Sequence, residues 1–76
     1  MKEKVLTILK EIRHDVDFEN EKALIADGIL SSFDIVALVG ELNDAFDIEI
    51  RPNHLVEDNF NSAEAILALI EQLQDE

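Results

Sequence analysis

Two adjacent serines, Ser31 and Ser32, follow Asp27-Gly28-Ile29-Leu30 and precede Phe33-Asp34, where a stretch of helical apolar spacing begins. A hydroxyl at a helix N-terminus lies beside free backbone N–H groups and the positive end of the macrodipole, which favour a nearby anion. A phosphodiester formed on that oxygen would be electrostatically supported. The plainer role of a helix-opening serine is to cap those same N–H groups. With two serines the roles can divide. Ser31 is the expected N-cap, with Asp34 three residues later in a capping-box position. Ser32 then falls in the first turn with its hydroxyl free to point outward.

Other chemistries are poorly served. A nucleophilic triad needs a serine, a histidine base and an orienting acid meeting in a pocket. His14 and His54 both sit in polar context, and 76 residues leave little room for an enclosed substrate site. A small hydrolase using Ser32 therefore lacks a base, and no enzyme activity is expected. There is no cysteine, which excludes disulfides, zinc-thiolate sites and thiol catalysis. Asp15-Val16-Asp17-Phe18-Glu19 begins like a calcium loop but has Asn20 at its sixth position and Ala26 at its twelfth, so no metal site is expected.

The elements that must position these residues are short. Residues 2 to about 13 read as a helix with Val5, Ile8, Leu9 and Ile12 on one face. Arg13 and His14 near its end suit the negative end of the dipole. From about 15 to 30 the chain is a long connection, its scattered apolar residues expected to pin it against the bundle, with Gly28 supplying conformational freedom. The second helix is predicted over 32–46, with Ile35, Val36, Leu38, Val39, Leu42, Ala45 and Phe46 forming a broad apolar stripe assigned to the core. Gly40 in its middle allows close packing or a flat contact surface. After Arg51-Pro52, residues 54–58 are predicted to form one short helical turn. A last helix follows Asn61, the expected cap, with Glu64 reciprocating. Its inward face is read as Ala63, Ile66, Ala68 or Leu67, Ile70 and Leu73.

Composition is consistent with one small domain over residues 1–76. Hydrophobic residues make up 47%, and a core of aliphatic residues with four Phe suggests a compact helical bundle. The net charge of −12 argues against nucleic acid and against an anionic membrane surface. It also disfavours self-association, so a monomer is expected. Residues 41–76 carry ten acids and only Arg51, a negative face suited to steering basic partners. Met1-Lys2-Glu3-Lys4 lacks the apolar stretch of a signal peptide and no segment is long enough to span a bilayer; a cytoplasmic protein without membrane insertion is expected.

From Asp27-Gly28 through Ser32-Phe33-Asp34, Val36, Leu38-Val39 and Leu42 to Phe46-Asp47-Ile48-Glu49-Ile50, the chain closely resembles the acyl carrier protein family. In that family an Asp-Ser-Leu motif opens the second helix and its serine carries 4′-phosphopantetheine. Two positions depart from the motif: Ser31 stands where the family has Asp, and Phe33 where it has Leu. The first removes an acid that partners in fatty acid synthesis often read. Asn59-Phe60-Asn61-Ser62 is similar to stand-alone carriers of aminoacyl or specialised biosynthetic pathways.

The resemblance implies an all-α fold, a small four-helix bundle of acyl-carrier type with a long first loop and a short third helix. It implies a carrier rather than a catalyst, with 4′-phosphopantetheine on Ser32, Ser31 being the alternative attachment site, holding acyl or aminoacyl groups as thioesters. Implied partners are a phosphopantetheinyl transferase, an acyl- or aminoacyl-loading ligase and downstream acyl-transfer enzymes. They are expected to meet Asp34, Glu41 and Asp44 as charges and Phe33, Ala37 and Gly40 as a shallow apolar contact. Composition alone accommodates an acidic helical interaction module, an adaptor or inhibitor without a prosthetic group, equally well.

Overall fold

The computed structural model describes residues 2–75. Among these residues the chain forms four α-helices and no strand: α1 Lys2–Ile12, α2 Ser32–Phe46, α3 Glu57–Phe60 and α4 Ala63–Gln74, with a 3₁₀ turn at Pro52–His54. The all-α, four-helix expectation holds, including the long first loop and the short third helix. Helix α1 packs against both α2 and α4, and α3 against α4.

The core is built from one face of each long helix. Val5, Ile8 and Leu9 of α1 meet Leu38 and Leu42 of α2 and Ala63, Ile66, Leu69 and Ile70 of α4, with Phe60 of α3 beneath them. Burying each such large apolar side chain contributes about 2 kcal/mol. In α4 the inward set differs from expectation: Leu69 is buried, Leu67 and Leu73 are half-buried and Ala68 is exposed. Ala68 lies on the solvent side because Ile66 and Ile70, four residues apart, set the buried stripe.

The long first loop is anchored to the bundle by burial and by hydrogen bonds. Phe18, Leu24 and Leu30 plug into the core from it. Asn61 holds it from the other side, its carbonyl accepting from Leu24 N at 2.9 Å and its Oδ1 accepting from the N–H groups of Ile25 and Ala26 at 3.0 and 3.1 Å. Asn61 is therefore not the cap of α4, as its spacing suggested. It ends α3 in a helical conformation, while Ser62 is extended and its Oγ accepts from Ala65 N at 3.1 Å. Glu64, freed from the expected reciprocal bond, reaches Lys22 at 2.7 Å and Lys2 at 3.4 Å and so ties the loop and α1 to α4.

The predicted turn at 54–58 falls across two pieces. Pro52 starts the 3₁₀ turn, Leu55 and Val56 form an exposed link, and α3 begins only at Glu57. Proline at the first position presets the turn, which draws it upstream of the expected span. At the far end of α2, Asp47 takes the left-handed conformation (φ 53°) and ends the helix. The Asn43 carbonyl accepts from Ile48 N at 3.2 Å and its Oδ1 accepts from Ile50 N at 2.8 Å, which turns the Asp47-Ile48-Glu49-Ile50 segment back along the bundle. Lys4 supplies the cation that α2 lacks in its own last turn: Nζ donates to the Ala45 carbonyl at 3.1 Å and lies 5.1 Å from the Phe46 ring centre.

Candidate functional site

The start of α2 is built from a full capping box. Ser31 Oγ accepts from Asp34 N at 3.2 Å, and Asp34 Oδ2 accepts from Ser31 N at 3.0 Å. Asp therefore closes the box despite being shorter than the usual Glu or Gln. Because Ser31 does the capping, Ser32 falls at the first helical position with its side chain exposed. Gly28, with φ +70°, provides the left-handed turn that brings the chain into this helix, a conformation costly for residues with a Cβ.

Ser32, Val36, Gly40 and Asp44 succeed one another at four-residue intervals, with Phe33, Ala37 and Glu41 beside them. All seven are exposed and share one face of α2. Phe33 is 88% exposed and Val36 72%. Val36 was assigned to the core with its apolar neighbours, and the structure corrects this. It lies about 200° around the helix from Leu38, so the two cannot both face inward. Its signal in the sequence was its spacing from Ser32 and Gly40 rather than its hydrophobicity. A Cβ added at Gly40 meets nothing within 4 Å, so this glycine flattens the outer face rather than admitting a close-packed neighbour.

The outer face is graded. Apolar or small residues occupy the half next to Ser32, and the acids Glu41 and Asp44 the half beyond Gly40. Asp34 stands apart from those two. Its side chain is 18% exposed, and its Oδ2 also receives Arg13 Nη1 at 3.4 Å. The Ser31 backbone N–H above all holds its carboxyl below the usual carboxylate range; burial opposes this, and the Ser31 hydroxyl and Arg13 add smaller effects in the same downward direction. Arg13 itself does not serve the last carbonyls of α1, as its position suggested. Its guanidinium reaches the Ile29 carbonyl at 2.9 Å and the Asp15 carboxylate at 3.3 Å, because the first loop folds back over the end of α1.

An open apolar depression of about 280 Å³ adjoins Ser32, lined by Ile25, Leu30, Ile35, Val36 and Leu55 as well as the two serines. A larger open groove of about 730 Å³ lies where α2 ends, between Asp47–Arg51 and Gln72-Leu73 of α4. It is lined by Asp47, Ile48 and Glu49 of the family-like ending and by His54, and by none of the candidate attachment or partner residues. His54 Nδ1 accepts from Arg51 N at 3.0 Å. Among the described residues no group of three or more His, Asp or Glu side chains is arranged to hold a metal ion, and no helix is long and apolar enough to cross a membrane.

A capped helix start with an exposed serine and a flat, acid-ended outer face is an arrangement suited to presentation, with nothing to enclose a substrate. Similar proteins agree. The chain is 33% identical over 82 aligned positions to the D-alanyl carrier protein of Lactococcus lactis subsp. lactis, covering 100% of this chain and 99% of the relative. It is 32% identical over 75 positions to the D-alanyl carrier protein of Bacillus cereus, covering 96% and 95%. This chain belongs to the acyl carrier protein family. No family model matches it. Its role is that of a carrier and not of an enzyme, and the acidic adaptor without a prosthetic group is set aside. Membership in this carrier family implies a phosphopantetheine group. The residues at the start of α2 fit one: an exposed hydroxyl, a helix N-terminus beside it and open space over Gly40 and Val36.

Proposed function

We propose that residues 1–76 form a single carrier domain whose 4′-phosphopantetheine arm is attached at Ser32, and that its cargo is an aminoacyl group. The observation that carries this reading is the division of labour at the start of α2: Ser31 is committed to the cap while Ser32, one residue later, is exposed in the first turn. On loading, Ser32 Oγ gives up its proton and forms the phosphodiester as the nucleotide portion of coenzyme A leaves. The free N–H groups of the first turn and the dipole of the 15-residue helix then favour the new anion. Once attached, the arm supplies a terminal thiol, the reactive sulfur that a chain without cysteine lacks.

The relatives' shared name supports a small aminoacyl cargo such as D-alanyl over a long fatty chain. The replacement of the family's acid by Ser31 supports the same preference, since fatty acid synthesis partners often read that acid. The outer face of α2 suits transient contact with three kinds of partner: a phosphopantetheinyl transferase, an aminoacyl-loading ligase and downstream acyl-transfer enzymes. Phe33, Val36, Ala37 and Gly40 offer an apolar platform around Ser32, and Glu41 and Asp44 steer basic surfaces towards it. Asp34, closed into the cap, serves the platform by holding its first turn. A cytoplasmic monomer passed between such enzymes accords with the charge of −12.

The test is intact mass before and after incubation with coenzyme A and a broad-specificity phosphopantetheinyl transferase, repeated with Ser32→Ala. One arm gained by the unaltered chain and lost in the variant is the expected result. A gain that survives in Ser32→Ala moves the site to another residue, Ser31 first, and no gain by the folded chain removes the reading.

A further inference from the structure

The capping box fixes Ser31 and Asp34 relative to each other, but not relative to the rest of the bundle. Leu30, buried in the core, anchors the chain just before the cap, and Arg13 adds the polar contact that reaches the cap itself. Its Nη1 donates to the Ile29 carbonyl at 2.9 Å and reaches Asp34 Oδ2 at 3.4 Å, the same oxygen that accepts from Ser31 N at 3.0 Å. One guanidinium thus joins the end of α1 to the last loop residues and to the cap of α2. The planar fork of Arg suits this double contact, which the single ammonium of Lys reproduces only in part. Gly28, in the left-handed conformation just upstream, turns the chain so that Ile29 presents its carbonyl to Arg13.

We infer that Arg13 is a positioning residue for loading: by clamping Ile29 and Asp34 together it sets the frame in which Ser32 meets the phosphopantetheinyl transferase. This rests on the Ser32 reading. Without the clamp, the start of α2 samples several orientations of which only a fraction suit the transferase. The apparent affinity for the carrier falls by that fraction, while the rate from the correctly seated complex is kept. A residue that merely stabilised the fold would not separate the two.

The experiment is steady-state loading kinetics with coenzyme A and the transferase on the full chain, comparing Arg13→Gln and Arg13→Lys, with amide hydrogen exchange on each. Expected for Arg13→Gln is a KM for the carrier raised about five- to tenfold with kcat near that of the unaltered chain. Arg13→Lys should fall between, and faster exchange should be confined to residues 29–34. An unchanged KM in Arg13→Gln overturns the inference, as does faster exchange spread evenly over α1 and α4. If Arg13→Gln does not fold, Arg13→Lys decides by the same two readouts. An unaltered chain that gains no arm, or gains it on a residue other than Ser32, removes the Ser32 reading instead. The Arg13 inference fails alone when the unaltered chain loads on Ser32 and Arg13→Gln loads with the same KM.

Discussion

Helices α2 and α4 both open on a serine cap, yet only the first is a place where chemistry can be presented. Ser31 and Ser62 each accept a backbone N–H three residues ahead, at 3.2 and 3.1 Å. Their surroundings are opposite. Ser31 is exposed and followed by exposed Ser32 and Phe33, whereas Ser62 is 9% exposed and followed by Ala63 at 0%. The free N–H groups and dipole are common to both helix starts, so they do not distinguish a site. The distinction is the residue after the cap: at α4 Ala63 is buried in the core, at α2 Ser32 faces solvent. A serine at a helix start is thus a cap by default, and the candidate attachment point is the exposed hydroxyl that follows the cap, Ser32.

The sharpest way to break this contrast is to give α4 the same pair of serines. Ala63→Ser in the Ser32→Ala background should take no arm, because the new hydroxyl is buried; peptide mapping after loading checks it. An arm found at position 63 would mean that a capped start suffices without exposure. Next in size is Asn61→Ala, which leaves the N–H groups of Ile25 and Ala26 without their acceptor and should cost about 2 kcal/mol in a denaturant melt. An unchanged midpoint would show that Phe18, Leu24 and Leu30 alone hold the loop.

Ser31→Ala and Ser62→Ala should each cost about 1 kcal/mol, with the buried cap the more expensive of the two, and both should load normally. Loss of loading in Ser31→Ala alone would shift attention to that residue. The smallest effect is electrostatic and belongs to the α4 side. The Lys22 hydrogen bond, more than any other contact, brings the Glu64 carboxyl down to about 2 from an ordinary 4.5. The carboxylate is favoured by folding, so its contribution is fully present above pH 4.5 and is lost as pH falls towards 2. Half-exposed, the cluster should shift the acid midpoint only slightly. Thermal melts of Glu64→Gln should show a flatter loss over that window, and an identical slope would detach Glu64 from the acid response.

The span of α2 and its capping box were legible in the sequence because both depend on residues within four positions of each other. Other assignments failed where a side chain had two suitable partners. Asn61 carries a capping side chain at the right spacing, yet the long loop claims it and Ser62 caps instead. Val36 is as hydrophobic as its neighbours, and only its angle around the helix places it outside. Asp34 sits in the cap as its spacing indicates, while its second partner, Arg13, 21 residues away, left no local signal.

The sequence by itself determined where the three long helices lie, where α2 starts, which oxygen caps it and how acidic the chain is. Each of these follows from neighbours along the chain, through hydrogen bonds and spacings of three or four residues. Only the tertiary structure decided that Arg13 closes on Ile29 and Asp34, across 16 and 21 residues, and that Asn61 reaches back 36 residues to Ile25. Those pairings depend on which apolar faces meet, and burial of Phe18, Leu24 and Leu30 folds the loop back to make them.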